Sequence, residues 1–598
     1  MRLRFVVGVI IFTALFSGRA AASPLVVVGD GTPESCTEAA FQTALNTVDE
    51  GGTIQFNCGA SERIIPFTTT KRLLKTVTID GGDRDLITLS GNNLVTVLEV
   101  DRFVPLVTLK NLTIRDGRGV DKGGGVRGLY RASLTIENCR FVNNVAVSAV
   151  VNIDNGGGAV YMHTGILNVT NTIFQNNRSE KSSGGAMNLL HSNITITDSL
   201  FDGNQAGYFG GGFYNDGMIG DDKRDGREGW VRSIRNTFIN NTAMGQGGAV
   251  FNNMYINRQR NILSTFESNR FINNRVNNNF KNHAYGGALR VENGPVEIVN
   301  SLFSGNVAER EGGALWTGMA ASATVANTTF YNNTAEGMTS ADGFGGAIKI
   351  ASSGVFTLAN VTIANNYAGY NGGAIWGGGS NVTLYNTIIA NNDAGNTWGE
   401  NLSCNRTYRN GGGNIQTAKR TPQDRSCVPG ILHANPLLGP LADNGGLTQT
   451  MALLLGSPAI DRGVDTCPDT DQRGVLRHFD GNYDGQGRCD VGAYEYDVVN
   501  TTTAPNAAPV RNFFDTATPT LSWGYVSWAI GYAIEIDNNP FFTSVNYRYD
   551  TIPGYEQSFV VADPLPNNMT WYWRVRAKRA DGTWGGWSAA DSFVIRVP

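Results

Sequence analysis

Between Phe141 and Asn392 the chain repeats one short block nine times, and an asparagine closes every copy. Seven copies read Phe-x-x-Asn, starting at Phe141, Phe174, Phe201, Phe238, Phe271, Phe303 and Phe330, and two substitute Ile363 and Ile389. Successive starts lie 33, 27, 37, 33, 32, 27, 33 and 26 residues apart, so a unit of about 27 residues recurs and the longer copies carry loops. Such a register predicts a solenoid, in which each unit stacks on the last, and not a compact globule. A second block, Gly-Gly-Ala, starts at Gly157, Gly184, Gly247, Gly286, Gly312, Gly345 and Gly372, with variants that end in Val126 and Phe213.

Before each Phe or Ile the apolar residues alternate, as in Leu134 and Ile136 or Val382 and Leu384, which predicts a strand with one apolar face. The phase then slips by one residue, so a corner is expected there. Asn111, Asn138, Asn171, Asp198, Arg235, Ser268, Asn300, Asn327, Asn360 and Asn386 hold that corner. Asparagine tolerates left-handed backbone, and stacked amides can form a ladder from turn to turn. The Gly-Gly pair fits a second corner, where a positive φ costs glycine least. Together these marks predict an all-β parallel β-helix whose coils rise about 4.8 Å each. Both motifs read as scaffold.

The two blocks resemble the repeat of the chlamydial-type polymorphic outer membrane proteins, whose hallmarks are Phe-x-x-Asn and Gly-Gly-Ala-[Ile/Leu/Val]. The resemblance covers roughly residues 105 to 395. It implies a right-handed, pectin lyase-like β-helix, displayed at a bacterial surface or secreted, with adhesion as the usual role. Those proteins end in a translocating β-barrel, for which this chain leaves no room after its repeats.

With 74 glycines among 598 residues and 16% charged residues, the composition suits repetitive β structure. A net charge of −4 predicts no nucleic-acid footprint. Met1-Arg2-Leu3-Arg4, the apolar run from Phe5 to Phe16 and Ala20-Ala21-Ala22 read as a secretory signal over residues 1–22. No later stretch is long and apolar enough to span a membrane as a helix, so an exported, soluble monomer is expected. Export permits disulfides, and the close pairs Cys36 with Cys58, Cys404 with Cys427 and Cys467 with Cys489 are the expected bridges. Cys139 falls where other coils have Thr172, Ser199, Ser301 and Thr328, so it reads as a buried free thiol.

A solenoid needs covered ends. Ser35 with Glu38 reads as a capping box, and Phe41, Ala44, Leu45 and Val48 form one helical stripe, a plug within an N-terminal cap of residues 23–70. The β-helix is expected over 71–430. From 431 to 497 come Asp443-Asn444-Gly445-Gly446, Gly456-Ser457-Pro458, Asp471-Gln472-Arg473-Gly474 and Val491-Gly492-Ala493-Tyr494-Glu495. These are similar to the choice-of-anchor Q segment of secreted bacterial β-helices. Residues 498–510 are rich in Thr, Ala and Pro and read as a linker. In 511–598, alternating runs at Thr520–Trp523, Tyr532–Ile536, Trp571–Ala577 and Trp584–Ser588 predict a small β-sandwich. It resembles a fibronectin type III domain, with Trp571 in place of that family's corner tyrosine.

After each Gly-Gly-Ala comes an apolar residue, and the position beyond it should face outward. Its occupants are Tyr161, Asn188, Asn215, Phe251, Arg290, Trp316, Lys349 and Trp376, a row of aromatic and basic residues without an acid. Phe251, Trp316 and Trp376 would stand about 10 Å apart, close to a disaccharide repeat, so Tyr161, Phe251, Arg290, Trp316, Lys349 and Trp376 are candidate glycan-binding residues. The competing reading is a self-satisfied cation–π ladder. The stretch Asp221–Glu228 reads as a solvated loop of mixed charge. Asp480, Asn482 and Asp484 before Gly485 match the first half of a calcium loop, but Val491 replaces its bidentate glutamate, so calcium is the one cofactor to consider. His163, His191, His283, His433 and His478 show no metal-ligand spacing, although His163 and His191 fit neighbouring coils.

Three functions remain open. The first is an exported or surface-displayed adhesion protein that binds a polysaccharide or cell-surface ligand. The second is a polysaccharide lyase or glycoside hydrolase on the same fold, which needs clustered carboxylates or a carboxylate with a base. The third is a structural surface spacer. Catalytic residues are not identifiable from the sequence.

Overall fold

The computed structural model describes residues 24–597 except 218–228, 255–262, 278–282, 319–320, 352, 483–484, 497–503, 509–512, 527–528 and 580–581. Four all-parallel sheets of 14, 14, 11 and 10 strands run side by side, each strand pairing with its counterpart one coil away. The fold is therefore the expected parallel β-helix. One coil suffices to describe the rest: strand Pro295–Val299, a corner at Asn300, strand Leu302–Ser304, a second bend at Gly305, the short strand Val307–Ala308, the Gly312-Gly313 corner and strand Leu315–Thr317. The next coil restarts at Ser322–Ala326.

All ten predicted corner residues, from Asn111 to Asn386, have φ between 44° and 55°. Asn, Asp and Ser tolerate this region at modest cost, whereas Arg235 is held there by a bidentate pair with Asp198. At the glycine corner, Gly312 has φ 65°, and a Cβ on Gly313 would lie 2.1 Å from the Gly346 carbonyl of the next coil. The first glycine supplies the turn and the second the close approach.

Inside the helix the Phe of each block stacks on the next. Ring centroids from Phe141 through Phe330 are 4.6 to 5.1 Å apart and the planes lie within 17° of parallel. That spacing is the coil rise itself, so aromatic packing and the strand ladder reinforce one another. The block's closing asparagine does the corresponding polar work. Asn274 Oδ1 accepts from Asn241 N and Nδ2, both at 3.0 Å, and Asn274 Nδ2 donates to Phe238 O at 2.9 Å and to Asn306 Oδ1 at 3.0 Å. The same arrangement joins nine buried asparagines from Asn144 to Asn392. The unbroken ladder thus belongs to the closing asparagines. The corner ladder expected from the sequence is interrupted: Asn171 donates to Asn138 and Asn138 to Asn111, but Asn327 and Asn360 turn elsewhere.

Coil-to-coil pairing of the β-helix already begins with Leu25–Val28 on Gly52–Phe56 and ends with Leu432–His433. The helix Glu38–Thr47 buries Phe41, Ala44 and Leu45, and Phe41 stacks on Phe56 and Phe67. Its N-cap is Thr37, whose hydroxyl accepts from Ala40 N at 3.2 Å, and not Ser35, which ends a 3-10 turn. Glu38 closes no box; its carboxylate instead accepts from the Thr68 and Thr69 amides and pairs with Lys71. All three expected disulfides are formed. Cys139 is buried and unpaired, its amide facing Thr172 Oγ1 in the small-residue stack, and burial pushes its thiol up to about 12.

Past His433 the chain folds back along the flank of the β-helix. Met451, Leu453, Ile460, Val491 and Tyr494 form one core with Ala364, Ile388, Ala390 and Ile415, which lie on the outer face of the Phe-bearing sheet. Buried Arg477 pairs with buried Glu495 at 3.0 Å, and burial pushes the Glu495 and Asp490 carboxyls up. At the C-terminus, a five-stranded sheet built on Gly531–Asp537 and Thr570–Lys578 shares a core with the pair Thr520–Ser522 and Ser558–Val560. Residues 584–588 form no strand there. It still runs beside Thr570–Lys578, with Gly585 N donating to Ala577 O and Ser588 N to Val575 O, both at 2.8 Å, while Trp584 and Trp587 lie over Arg576 at 4.7 and 4.3 Å.

Candidate functional site

The row beyond the glycine corner is in register over eleven coils: Arg72, Glu99, Arg127, Tyr161, Asn188, Tyr214, Phe251, Arg290, Trp316, Lys349 and Trp376. One correction to the sequence reading follows. Asn215 is not in the row; Tyr214 is. In Gly210-Gly211-Gly212-Phe213 the left-handed residue is Gly210, so the third glycine takes the alanine position and the register moves by one. From Tyr161 to Trp376 the row carries no acid; Glu99 lies in an earlier coil, between Arg72 and Arg127.

The row points away from the central core, yet most of it is covered. Tyr161 is 2% exposed, Tyr214 2%, Phe251 5%, Arg290 5%, Trp316 8% and Lys349 5%. The cover is a second row, the residue just before each Gly-Gly: Phe209, Gln246, Tyr285, Glu311, Phe344 and Asn371, bridged coil to coil. Because the glycine corner bends the backbone sharply, the side chains on its two sides meet. Phe209 stacks on Phe251 at 4.9 Å, Tyr285 on Trp316 at 5.3 Å and Phe344 on Trp376 at 4.5 Å.

The two rows make a checkerboard. Where the first row has a cation, the second has an aromatic: Arg290 lies 5.5 Å from Tyr285 and Lys349 5.4 Å from Phe344. Where the first row has Trp316, the second has Glu311, which accepts from Trp316 Nε1 at 3.0 Å. Along the first row, Arg290 lies 3.5 Å over Trp316 and Lys349 3.8 Å over Trp376. Lys349 also pairs with Glu311 at 2.9 Å, and Arg290 pairs with Glu292. Burial pushes both cations' pKa values down, and the Glu311 carboxylate opposes the shift at each. The faces of Phe251 and Trp316 are thus occupied by neighbours, as in the competing reading of a cation–π ladder.

The row is exposed at Arg72, and it opens again at its aromatic end. Trp376 is partly exposed, and Phe344 above it meets Tyr370 edge-on at 5.8 Å. Tyr370 meets Trp398 edge-on at 6.1 Å, and Trp398 is 64% exposed. The loop carrying Trp398 is tied down by Asn396, whose Nδ2 donates to Tyr370 O, Asn371 Oδ1 and Glu400 O. Trp398 was not in the sequence reading. The signal for it was a large aromatic side chain inside an asparagine-rich loop straight after the last coil.

The other candidates are dispersed. Asp480 accepts from Gly485 N at 2.9 Å and Asn482 N donates to Asp461, while Asp484 lies outside the described residues. Among the described residues no group of three or more His, Cys, Asp or Glu is placed to hold a metal ion. His163 and His191 do adjoin, with centroids 5.8 Å apart, and burial lowers both pKa values. Residues 1–23 and the charged loop 221–228 lie outside the described residues. Among those described, no helix is long and apolar enough to cross a membrane.

Residues 300–318 and 327–351 match the Chlamydia polymorphic membrane protein repeat. These two segments are one and a half of the coils described above, and they include Trp316, Lys349 and Glu311. No curated protein matches the chain. The chain is thus a parallel β-helix with two segments similar to the polymorphic membrane protein repeat, a repeat that suggests a surface-displayed β-helix protein.

Proposed function

We propose that this chain is an exported, surface-displayed adhesion protein that takes a glycan at the open end of its aromatic row. The observation that carries the reading is Trp398, 64% exposed and set edge-on to Tyr370, as the terminus of an aromatic path through Phe344 to Trp376. Flat aromatic faces stack on sugar rings, and a side chain already held in place loses little freedom on binding. Tyr161, Phe251, Arg290, Trp316 and Lys349 act here as the rigid backing of the platform, with Trp376 and Trp398 as its sugar-facing members. The segment 431–497, similar to choice-of-anchor Q, and the fibronectin type III-like module 511–598 serve in this reading as attachment and spacing elements.

A glycan array probed with the intact chain, and with Trp398→Ala and Trp376→Ala, tests the proposal. One glycan class bound by the wild type and lost by Trp398→Ala is the expected result. Binding to nothing leaves the spacer reading in its place. Unsaturated or reducing ends released from pectin, alginate or chondroitin would replace binding with catalysis.

A further inference from the structure

The corner side of the Phe-bearing sheet forms a trough along the β-helix, and the chain fills only half of it. From Asn300 onward its own C-terminal segment lies there. The corner side chains hold that segment by its main chain: Asn327 Nδ2 donates to Thr470 O at 2.7 Å and Asn360 Nδ2 to Asp490 O at 2.9 Å. Asn386 exchanges two bonds with Val464, at 3.1 and 2.8 Å. The adjoining outward row joins in, since Thr362 Oγ1 accepts from Ala493 N at 3.0 Å. The cover begins at Thr448, whose hydroxyl donates to Asn300 O at 3.1 Å. One residue earlier, Leu447 is 58% exposed and lines an open groove of about 510 Å³ that continues over the coils from Asn171 to Ser268.

The open half has the same geometry with different chemistry. Ile173 and Leu200 form its apolar floor, and Arg84, Arg235 and Arg270 stand along it. Asp198 is the one acid among the lining residues, and Arg235 holds it through two hydrogen bonds of 2.7 Å. Arg270 is exposed; its Nε donates to Thr237 Oγ1 at 3.1 Å, and no acid pairs with it among the described residues. Arg84 Nε is buried without a hydrogen-bond partner. Two guanidinium groups are therefore uncompensated in a trough whose neighbouring half holds polypeptide by its main chain.

We infer that the open half is a docking groove for an extended acidic polypeptide segment of a partner protein. Continuity with the filled half argues for a polypeptide, because corner positions that grip main chain there recur here. The surplus positive charge argues for carboxylates. From the Asn171 coil to the Ser268 coil is three steps of about 4.8 Å, so the groove takes about four to five residues at 3.3 Å each. A segment with two apolar side chains over Ile173 and Leu200 and glutamates or aspartates at its ends fits.

Fluorescence anisotropy with the intact chain and a fluorescein-labelled heptapeptide, Leu-Thr-Val flanked by two glutamates on each side, tests this. Binding that weakens with salt and falls at least tenfold in Arg84→Glu/Arg270→Glu is expected, with lysine-flanked peptide preferred by that variant. The same peptide with glutamine for glutamate must also bind the wild type at least tenfold more weakly, which keeps the test independent of the variant's folding. No binding by the wild type, or binding unchanged by these changes, overturns the inference. So does a galacturonate oligomer that binds through the same arginines when the peptide does not.

Discussion

Asn274→Ala isolates what the closing asparagines contribute. The residue is fully buried and makes four side-chain hydrogen bonds, so truncation leaves the Asn241 amide and one Asn241 Nδ2 hydrogen facing a void. Each buried donor left without a partner costs about 1–3 kcal/mol, which for two donors centres on about 4 kcal/mol. At about 1.4 kcal/mol per tenfold, protection of amides in the coils around Asn274 should fall by about three orders of magnitude. Native-state hydrogen exchange read by mass spectrometry reports this coil by coil, which suits a solenoid whose units open in part independently. Asn138→Ala is the control, because its side chain bridges Asn111 and Asn171 at a partly exposed corner, and protection there should change by less than tenfold. Protection around Asn274 within tenfold of wild type would refute the reasoning and assign the stacking to the phenylalanines alone.

Three further outcomes are expected. Burial pushes the Asp216 carboxyl up to about 6 from 3.8, although the Asn253 amide opposes the shift. A raised folded-state value means its contribution is complete below 3.8 and gone once the pH passes about 6, so Asp216→Asn should raise the melting temperature at pH 7.5 and barely at pH 4. A larger gain at pH 4 would be the wrong sign. Cys139, with its thiol pushed up to about 12 by burial, should resist iodoacetamide at pH 8 in the folded chain and label only after denaturation; native labelling would contradict its placement. Glu311→Gln removes the counter-charge of Lys349 and should cost about 3 kcal/mol, most of it recovered in Glu311→Gln/Lys349→Met. Strict additivity in that cycle, followed by chemical denaturation, would mean the pair is not coupled.

The scaffold was legible because its constraints are local and repeated. A left-handed corner selects Asn, a closing turn selects Gly-Gly, and the Phe stack demands one ring per coil, so each leaves a periodic mark. The closing-asparagine ladder was missed, because the sequence reading put the ladder at the corner; its mark is the doublets Asn143-Asn144, Asn176-Asn177 and Asn273-Asn274, where the first member takes the positive φ. Register failed where three glycines run together at Gly210, since two placements of the corner are equally allowed by sequence. The burial of the aromatic row was hidden for another reason: its cover comes from the position before Gly-Gly on a neighbouring coil, which alternation within one strand does not reveal. The C-terminal segment announced its turns but not its place. Thr448 on Asn300 and Ala493 on Thr362 join residues more than 130 apart in sequence.

On the proposed reading, a glycan meets this β-helix at the aromatic open end of the row and nowhere along its buried length. Calorimetric titration of the best array glycan into the wild type, Trp398→Ala, Trp376→Ala and Trp316→Phe tests it most directly. Heat lost in the first two variants and kept in Trp316→Phe is the predicted result. Heat kept in Trp398→Ala, or lost in Trp316→Phe while its fold is intact by circular dichroism, would contradict the account.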